Sequence, residues 1–428
     1  MALKKFSLMR DKEQIFHRQD LAEDLAERLQ DPMYKSGLFL SAPRRTGKTT
    51  FLKTDLLPML SEAGAIVIYA DLWVQRDINP AKVIIGSIAD AILHESGAIT
   101  KAAKMMGLTK VKVGGLEIDL TTIGTQNGDS IARTLEKLST ASKKPIVMVI
   151  DEAQHAQTTE EGRSTLFALK AARDALNMGE GEGFRLIATG SNSDRLMTLV
   201  SSKDQAFYHA TQQHLPELDD TYLQWVLANS PLKDNLSLSV LHDGFDIFSR
   251  RPEPLQALLK AVEKDKTLDA LQINAVFVGM AGKAMEVSRQ TFMTTVESMD
   301  MLDAAMFRRM ALLGNKYTAF NAQAVAHYIE LMAEFSSVGS GSTTGQTPEK
   351  IDPPTASAMQ NALERLRKDS LVWSGGRGQW FIEDSQHVSW VLQDLEDRER
   401  LKRAHAEKEL TSLTANKQKD SGPQDLLS

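Results

Sequence analysis

The sequence predicts an α/β protein: a parallel sheet flanked by helices, then a helical region, then a C-terminal unit of helices and short strands. Three observations predict it. Apolar, strand-like runs at 38–40, 65–70, 146–150 and 184–189 alternate with helical patterns through the first half of the chain. The first and third of these runs end in residues suited to phosphate and metal, at the strand ends where open α/β sheets place ligands. Beyond about residue 217 helical patterns dominate, until Gly375-Gly376 leads into Gln379-Trp380-Phe381-Ile382.

The first element after the N-terminal segment is the run Leu40-Ser41-Ala42-Pro43-Arg44-Arg45-Thr46-Gly47-Lys48-Thr49-Thr50. Leu38, Phe39 and Leu40 make a short buried strand, and Leu52, Leu56 and Leu60 fall on one helix face. Strand, tight loop and helix form the setting of a phosphate-binding loop. Gly47 lets the backbone approach the phosphates, Lys48 reaches the β- and γ-phosphates, and Thr49 holds Mg²⁺. The helix start supplies free N–H groups and a positive dipole end. Ala42 stands where a glycine is expected, and it fits only with negative φ; Pro43 beside it has no N–H. The candidate nucleotide-holding residues are Ala42, Pro43, Arg44, Arg45, Thr46, Gly47, Lys48, Thr49 and Thr50.

Next comes Pro145-Ile146-Val147-Met148-Val149-Ile150-Asp151-Glu152, whose unbroken apolar run reads as a central strand buried on both faces. Asp151 emerges at its C-terminal end to hold Mg²⁺ through water, and Glu152 polarises the attacking water. The run Phe184–Thr189 follows and ends in Gly190-Ser191-Asn192-Ser193. Ser191 and Asn192 are candidates to sense the γ-phosphate or the lytic water, or else plain turn and cap residues. Between the second strand and the acid-bearing one, residues 108–120 alternate around Gly114-Gly115, a hairpin signal. It is expected to extend the edge of the core.

Ala-Pro-Arg-Arg-Thr-Gly-Lys-Thr at 42–49, Val-Ile-Asp-Glu-Ala-Gln at 149–154 and Ala-Thr-Gly-Ser at 188–191 together resemble the archaeal-ATPase-like branch of P-loop ATPases, near the STAND and AAA+ groups. The resemblance extends to Ile15-Phe16-His17-Arg18-Gln19-Asp20-Leu21, similar to an N-terminal segment that lies near adenine in the family. Phe16 and Arg18 are thus candidates for nucleotide contact or for packing at the start of the chain. Asp20 and Glu23 read as a capping box, and Leu21, Leu25 and Leu29 as a core stripe. The resemblance implies a helical lid, a C-terminal winged helix, and ATP with Mg²⁺ as cofactors. Within the lid Leu255, Leu258, Leu259 and Val262 share a face, and Arg250 and Arg251 read as surface arginines rather than nucleotide sensors. Where relatives tend to carry an activating arginine, this chain has Ala206-Phe207-Tyr208-His209; Arg195 is the substitute candidate.

The implied division is 1–216 for the ATPase core, 217–298 for the lid, 299–395 for the winged-helix-like domain and 396–428 for a charged, partly disordered tail. In the third part, helical stretches at 300–313 and 320–334 precede a polar break at 336–350. A helix from Thr355 then presents Met359, Leu363 and Leu366 to the core. Arg365, Arg367 and Lys368 lie on this candidate recognition helix. Residues 300–428 nevertheless carry 15 Lys/Arg against 18 Asp/Glu, a net −3 where a nucleic-acid module shows a basic face.

Across all 428 residues the formal net charge is −6 and no cysteine occurs, which excludes disulfides, thiol catalysis and cysteine-bound zinc. No apolar run is long enough to span a bilayer, and a signal-type N-terminus is absent. A cytoplasmic protein without a membrane partner is the expectation. The leading functional expectation is an ATP-hydrolysing molecular switch coupled to a protein partner or to self-assembly. Its alternative is a DNA-associated ATPase of initiator, loader or transposition-regulator type. A helicase lacks its second motor domain here, and a nucleotide-locked scaffold is the reading with little turnover.

Overall fold

In a computed structural model the described residues are 15–73, 78–97, 109–124, 130–178, 182–191, 193–265, 268–269, 272–339, 351–376 and 378–420. The chain divides into two compact units, Met1–Met285 and Glu286–Ser428.

The first unit is built on strands β1 (Leu38–Ser41), β2 (Ile66–Asp71), β5 (Ile146–Asp151), β6 (Phe184–Gly190) and β7 (Thr211–His214). They form a five-stranded sheet in the order β2-β5-β6-β1-β7, with every pairing parallel. Burial follows position in that order. Every residue of β5 is buried, as the apolar run requires, whereas the edge strand β7 reads Thr-Gln-Gln-His and stays half exposed.

Side chains alternate across the sheet, so one strand feeds two cores. Ile146, Met148 and Ile150 join the cluster beneath α4 (Pro80–Glu95), α5 (Ile131–Ser142) and α6 (Glu160–Met178). Val147 and Val149 join the opposite cluster with Leu25, Leu52 and Leu56. That face is covered by α1 (Gln19–Arg28) and by the helix that follows β1.

Several local expectations need correction. The helix after β1 does bury Leu52, Leu56 and Leu60, but it is interrupted. It runs as α2 (Lys48–Phe51), a π-helical turn (Leu52–Leu56) and α3 (Leu57–Glu62). Pro58 offers no N–H to the preceding turn, which widens. The capping box does not form, because α1 begins at Gln19 and places Asp20 inside the first turn. The Arg18 N–H is instead taken by Asp55 Oδ2 at 3.0 Å. The hairpin exists as β3 (Lys110–Val113) and β4 (Leu116–Asp119), yet it forms its own two-stranded sheet rather than extending the main one. Its Val111, Val113 and Ile118 pack into the same core as α4 and α5.

Beyond α7 (Ser193–Met197) and β7 come α8 (Asp220–Ala228), α9 (Leu238–Ile247), α10 (Pro252–Lys264) and α11 (Ile273–Glu297). The predicted face of α10 is buried at Leu255, Leu258, Leu259 and Val262. Phe245, Phe277 and Tyr222 complete this core.

The second unit is built from α12 (Met301–Leu313), α13 (Ala322–Gly339), α14 (Ala356–Lys368) and the antiparallel pair β8 (Val372–Gly376) and β9 (Gln379–Ile382). α12 is buried on all sides from Asp303 to Ala311, which makes it the central helix. Thr355 caps α14 through its hydroxyl, and Met359, Leu363 and Leu366 are buried as predicted. Two boundaries move. α13 continues to Gly339, so the expected break begins later, and 340–350 lie outside the described residues. α15 (Ser385–Asp420) runs far into the charged tail, of which 421–428 lie outside the described residues. Val391 anchors its start in the core, and pairs such as Arg398–Asp394 at 2.8 Å and Arg403–Glu399 at 2.5 Å support its exposed length. Among the described residues, no helix is long and apolar enough to cross a membrane.

The hairpin turn supplies a test. Gly114 (φ +52°) and Gly115 (φ +87°) both need left-handed backbone, but a Cβ on Gly114 would stand 2.1 Å from the Ala141 carbonyl oxygen while one on Gly115 meets nothing within 4 Å. Gly115→Ala should cost about 1 kcal/mol through backbone strain alone. Gly114→Ala should cost clearly more and raise amide exchange along β3 and β4; equal melting temperatures for the two variants would contradict the docking of the turn on α5.

Candidate functional site

The loop between β1 and α2 carries its unusual backbone at Arg45 (φ +63°) and Gly47 (φ +91°). Ala42 is not among the positive-φ residues, which meets the condition its side chain imposes. Its N–H bonds the Gly190 carbonyl at 3.1 Å, which ties the loop to the end of β6. The Thr46 hydroxyl donates to the Pro43 carbonyl at 2.7 Å and closes the loop from within. Gly47 caps α2, so the first N–H groups of that helix have no intrahelical acceptor.

Lys48 is only 6 % exposed and projects from the helix start onto the ends of two neighbouring strands. Its Nζ donates to Asp151 Oδ1 at 2.6 Å, to Glu152 Oε1 at 2.7 Å and to Thr189 Oγ1 at 3.3 Å. The Thr49 hydroxyl donates to Asp151 Oδ2 at 2.8 Å. Thr189 also donates to Asp151 Oδ1. Glu152 Oε2 accepts from Gln154 Nε2 at 2.6 Å, from Ser191 Oγ at 2.9 Å and from the Ser191 N–H at 3.2 Å. The structure therefore brings Lys48, Thr49, Asp151, Glu152 and Ser191 together. Asn192 lies outside the described residues.

Electrostatics follow from this packing. Burial alone would favour the neutral forms of all three charged groups, but their mutual attraction outweighs it. Lys48 is held above its ordinary pKa and Asp151 below its own. Burial raises the Glu152 pKa, yet Lys48 and the Gln154 hydrogen bond bring it down to about 2.

Several partners were not singled out from the sequence. Tyr69 donates to Asp151 Oδ2 at 3.1 Å and to Asp71 Oδ2 at 3.2 Å, and it reads as an ordinary strand residue until register sets Asp71 opposite Asp151. Thr189 and Gln154 carried a faint signal, as polar residues within or just after apolar strands. Arg195 is 2 % exposed, so it is no finger presented to a neighbour. Burial and the like charge of Arg44 push its pKa well down, while Glu152 pulls it up, which places its charge beside the chain's own site.

Beside the loop lies a cleft of about 790 Å³. Phe16, Arg18, Arg45, Gly47, Thr50 and Phe51 line one part of it, and Tyr222, Trp225, Gln256 and Lys260 another. Phe16 stacks edge-on against Tyr222 at 5.4 Å. The Arg18 guanidinium donates to the Pro216 carbonyl at 2.7 Å and lies 5.5 Å from the Phe51 ring centroid. Both residues thus combine packing with a place on the cleft wall. Arg250 and Arg251 do not line it: Arg250 pairs with Asp246 at 3.0 Å, and Arg251 is buried rather than on the surface.

No protein-family model and no curated protein matches the sequence. Solved structures are similar in outline. The Aeropyrum pernix ORC2 protein in its ADP form is 13 % identical, with 90 % of this chain and 95 % of that one covered and a TM-score of 0.45. The Aeropyrum pernix ORC1 protein in complex with DNA is 15 % identical, with coverage of 90 % and 94 % and a TM-score of 0.40. AMPPCP-bound DnaA from Aquifex aeolicus is 14 % identical, with coverage of 94 % and 96 % and a TM-score of 0.37. At these scores the likeness carries no argument about function.

The depressed Glu152 pKa has a measurable consequence. A group whose folded pKa lies below its unfolded value contributes stability above the unfolded value, and that contribution fades as pH falls through the folded one. For Glu152 the window runs from 4.5 down to about 2. Melting temperature should fall across it more steeply for the parent chain than for Glu152→Gln; parallel curves would show that the Lys48 pair does not hold Glu152 ionised.

Proposed function

We propose that the chain is a P-loop ATPase related to the AAA+ group, which binds ATP in the cleft beside the loop and hydrolyses it at the Lys48–Asp151–Glu152 cluster. The observation that carries this reading is the convergence of one ammonium, two carboxylates and two hydroxyls from separate elements at the mouth of a helix N-terminus. A phosphate tail would be received by the loop residues 42–50 and Lys48, with the base toward Phe16, Arg18, Tyr222 and Trp225. Thr49 and Asp151 supply the one or two hard oxygens that a phosphate-bound magnesium ion takes from protein, and such an ion adds charge stabilisation at the phosphates. Glu152 orients and deprotonates water, and Ser191 holds Glu152 in place, with Asn192 assigned to the same sensing role from sequence. Binding of a phosphate by Lys48 would draw it from the carboxylates, and the lid assigned from sequence to 217–298 would respond to that change. The divisions at 216, 298 and 395 belong to this proposal.

The DNA-associated form of the ATPase is the second reading. The second unit favours a weak, salt-sensitive contact. Arg365 is committed to Asp303 through bonds of 2.8 and 2.5 Å, and Arg367 lies 2.9 Å from Glu364. A protein partner or a second copy of the chain fits the same unit if DNA does not.

Lys48→Ala should weaken ATP binding by about 100-fold or more, whereas Glu152→Gln should keep binding and slow turnover by about 100-fold or more. Turnover of Glu152→Gln at the parent rate would overturn its assignment. Duplex DNA binding, measured in about 50 mM salt, should be lost on reversing Arg367 and Lys368. No binding at that salt removes the DNA-associated form.

A further inference from the structure

The loop places an arginine at the chain's own reaction centre. The Arg44 guanidinium lies 3.8 Å from the centroid of the Trp73 ring, and its Nε donates to Ser191 Oγ at 3.3 Å. Ser191 Oγ donates in turn to Glu152 Oε2 at 2.9 Å, and Glu152 Oε1 accepts from Lys48 Nζ at 2.7 Å. These bonds form one continuous line in which a carboxylate stands between two cations. An indole face fixes the plane of a guanidinium, so the orientation of Arg44 beside Ser191 is set in advance of a ligand. Arg195 brings a second guanidinium, itself buried, into the same neighbourhood. Two like charges gathered at a site that already holds Lys48 suit a ligand with several negative charges, and Trp73 immobilises the one nearest Ser191.

We propose that Arg44 neutralises the γ-phosphoryl group in the transition state of hydrolysis, acting within its own chain, with Trp73 as its positioning residue. The proposal rests on the ATPase reading above. In the reaction the water oxygen bonds to the γ-phosphorus as the bond from that phosphorus to the β,γ-bridging oxygen breaks. A water proton passes to Glu152 and then to the released phosphate, and the bridging oxygen leaves with its electron pair on ADP. Charge spreads over the equatorial oxygens of the moving phosphoryl group, where a preorganised guanidinium acts most strongly. This accounts for the lack of an activating arginine near Ala206-Phe207-Tyr208-His209: the charge is supplied in cis from the loop itself.

The test uses the full chain with ATP and magnesium. Arg44→Ala should lower kcat by about 100-fold or more while the Kd for a fluorescent ADP stays within about 3-fold of the parent. Arg44→Lys should fold alike, keep ADP affinity and remain impaired, since a point charge does not reproduce a planar fork. Trp73→Phe should retain turnover and Trp73→Ala should not, at similar ADP affinity. Mixing Arg44→Ala with Lys48→Ala should recover no activity beyond the sum of the two. Recovery in the mixture would assign the arginine to a neighbouring copy and overturn the proposal, as would parental turnover by Arg44→Ala. Equal losses in kcat and ADP affinity would make Arg44 a ground-state phosphate contact and overturn it too. A parent chain that binds no nucleotide overturns the ATPase reading together with the inference; one that binds and hydrolyses while Arg44→Ala is unaffected overturns the inference alone.

Discussion

One ammonium organises the first unit. Lys48 comes from the start of a helix, Asp151 and Glu152 from the end of β5, and Thr189 from β6, and all meet at a single nitrogen. None of the three charged groups would be stable alone at this depth, since removing one partner leaves an uncompensated buried charge. The cluster therefore specifies how the loop, the helix behind it and the two strands sit together, and it does so with the groups proposed to receive phosphate.

Much of this was legible in the sequence because each signal had a distinct physical origin. The Ile146–Ile150 run could be buried on both faces only as a central strand, and Asp151 then had to surface at its end. Gly47-Lys48-Thr49 between a strand and an apolar helix face admitted few other settings. What stayed hidden depended on register and rotamer. Tyr69 became a partner of Asp151 only once β2 lay beside β5 with Asp71 opposite Asp151. Arg44 read as one candidate among the nucleotide-holding loop residues until Trp73 was folded over it. Local propensity also misled where tertiary contacts won. The capping box at Asp20 yielded to Asp55, and the helix entering the charged tail runs on to Asp420, supported by its anchored first turns and ion pairs such as Arg398–Asp394.

The second unit shows a related use of charge. Arg308 and Arg309 are buried on the central helix α12, and Arg309 donates to the Thr318 carbonyl at 2.7 Å while lying 5.5 Å from the rings of both Tyr317 and Tyr328. Arg365, on the helix that sequence would offer to DNA, instead holds Asp303 on α12. Arg365, which reads as a phosphate contact along the sequence, thus serves here as a strut between helices.

Glu152 adopts φ +55° and ψ +46°, a left-handed turn immediately after an extended strand. Consecutive residues of a strand point to opposite faces, so an ordinary continuation would have sent the second acid away from the first. The kink folds that alternation back on itself and delivers neighbours in sequence to a common target. A glutamate bears this backbone less comfortably than glycine or asparagine would. The corner is thus a place where local comfort and chemical purpose pull in different directions, and the chain has kept the purpose.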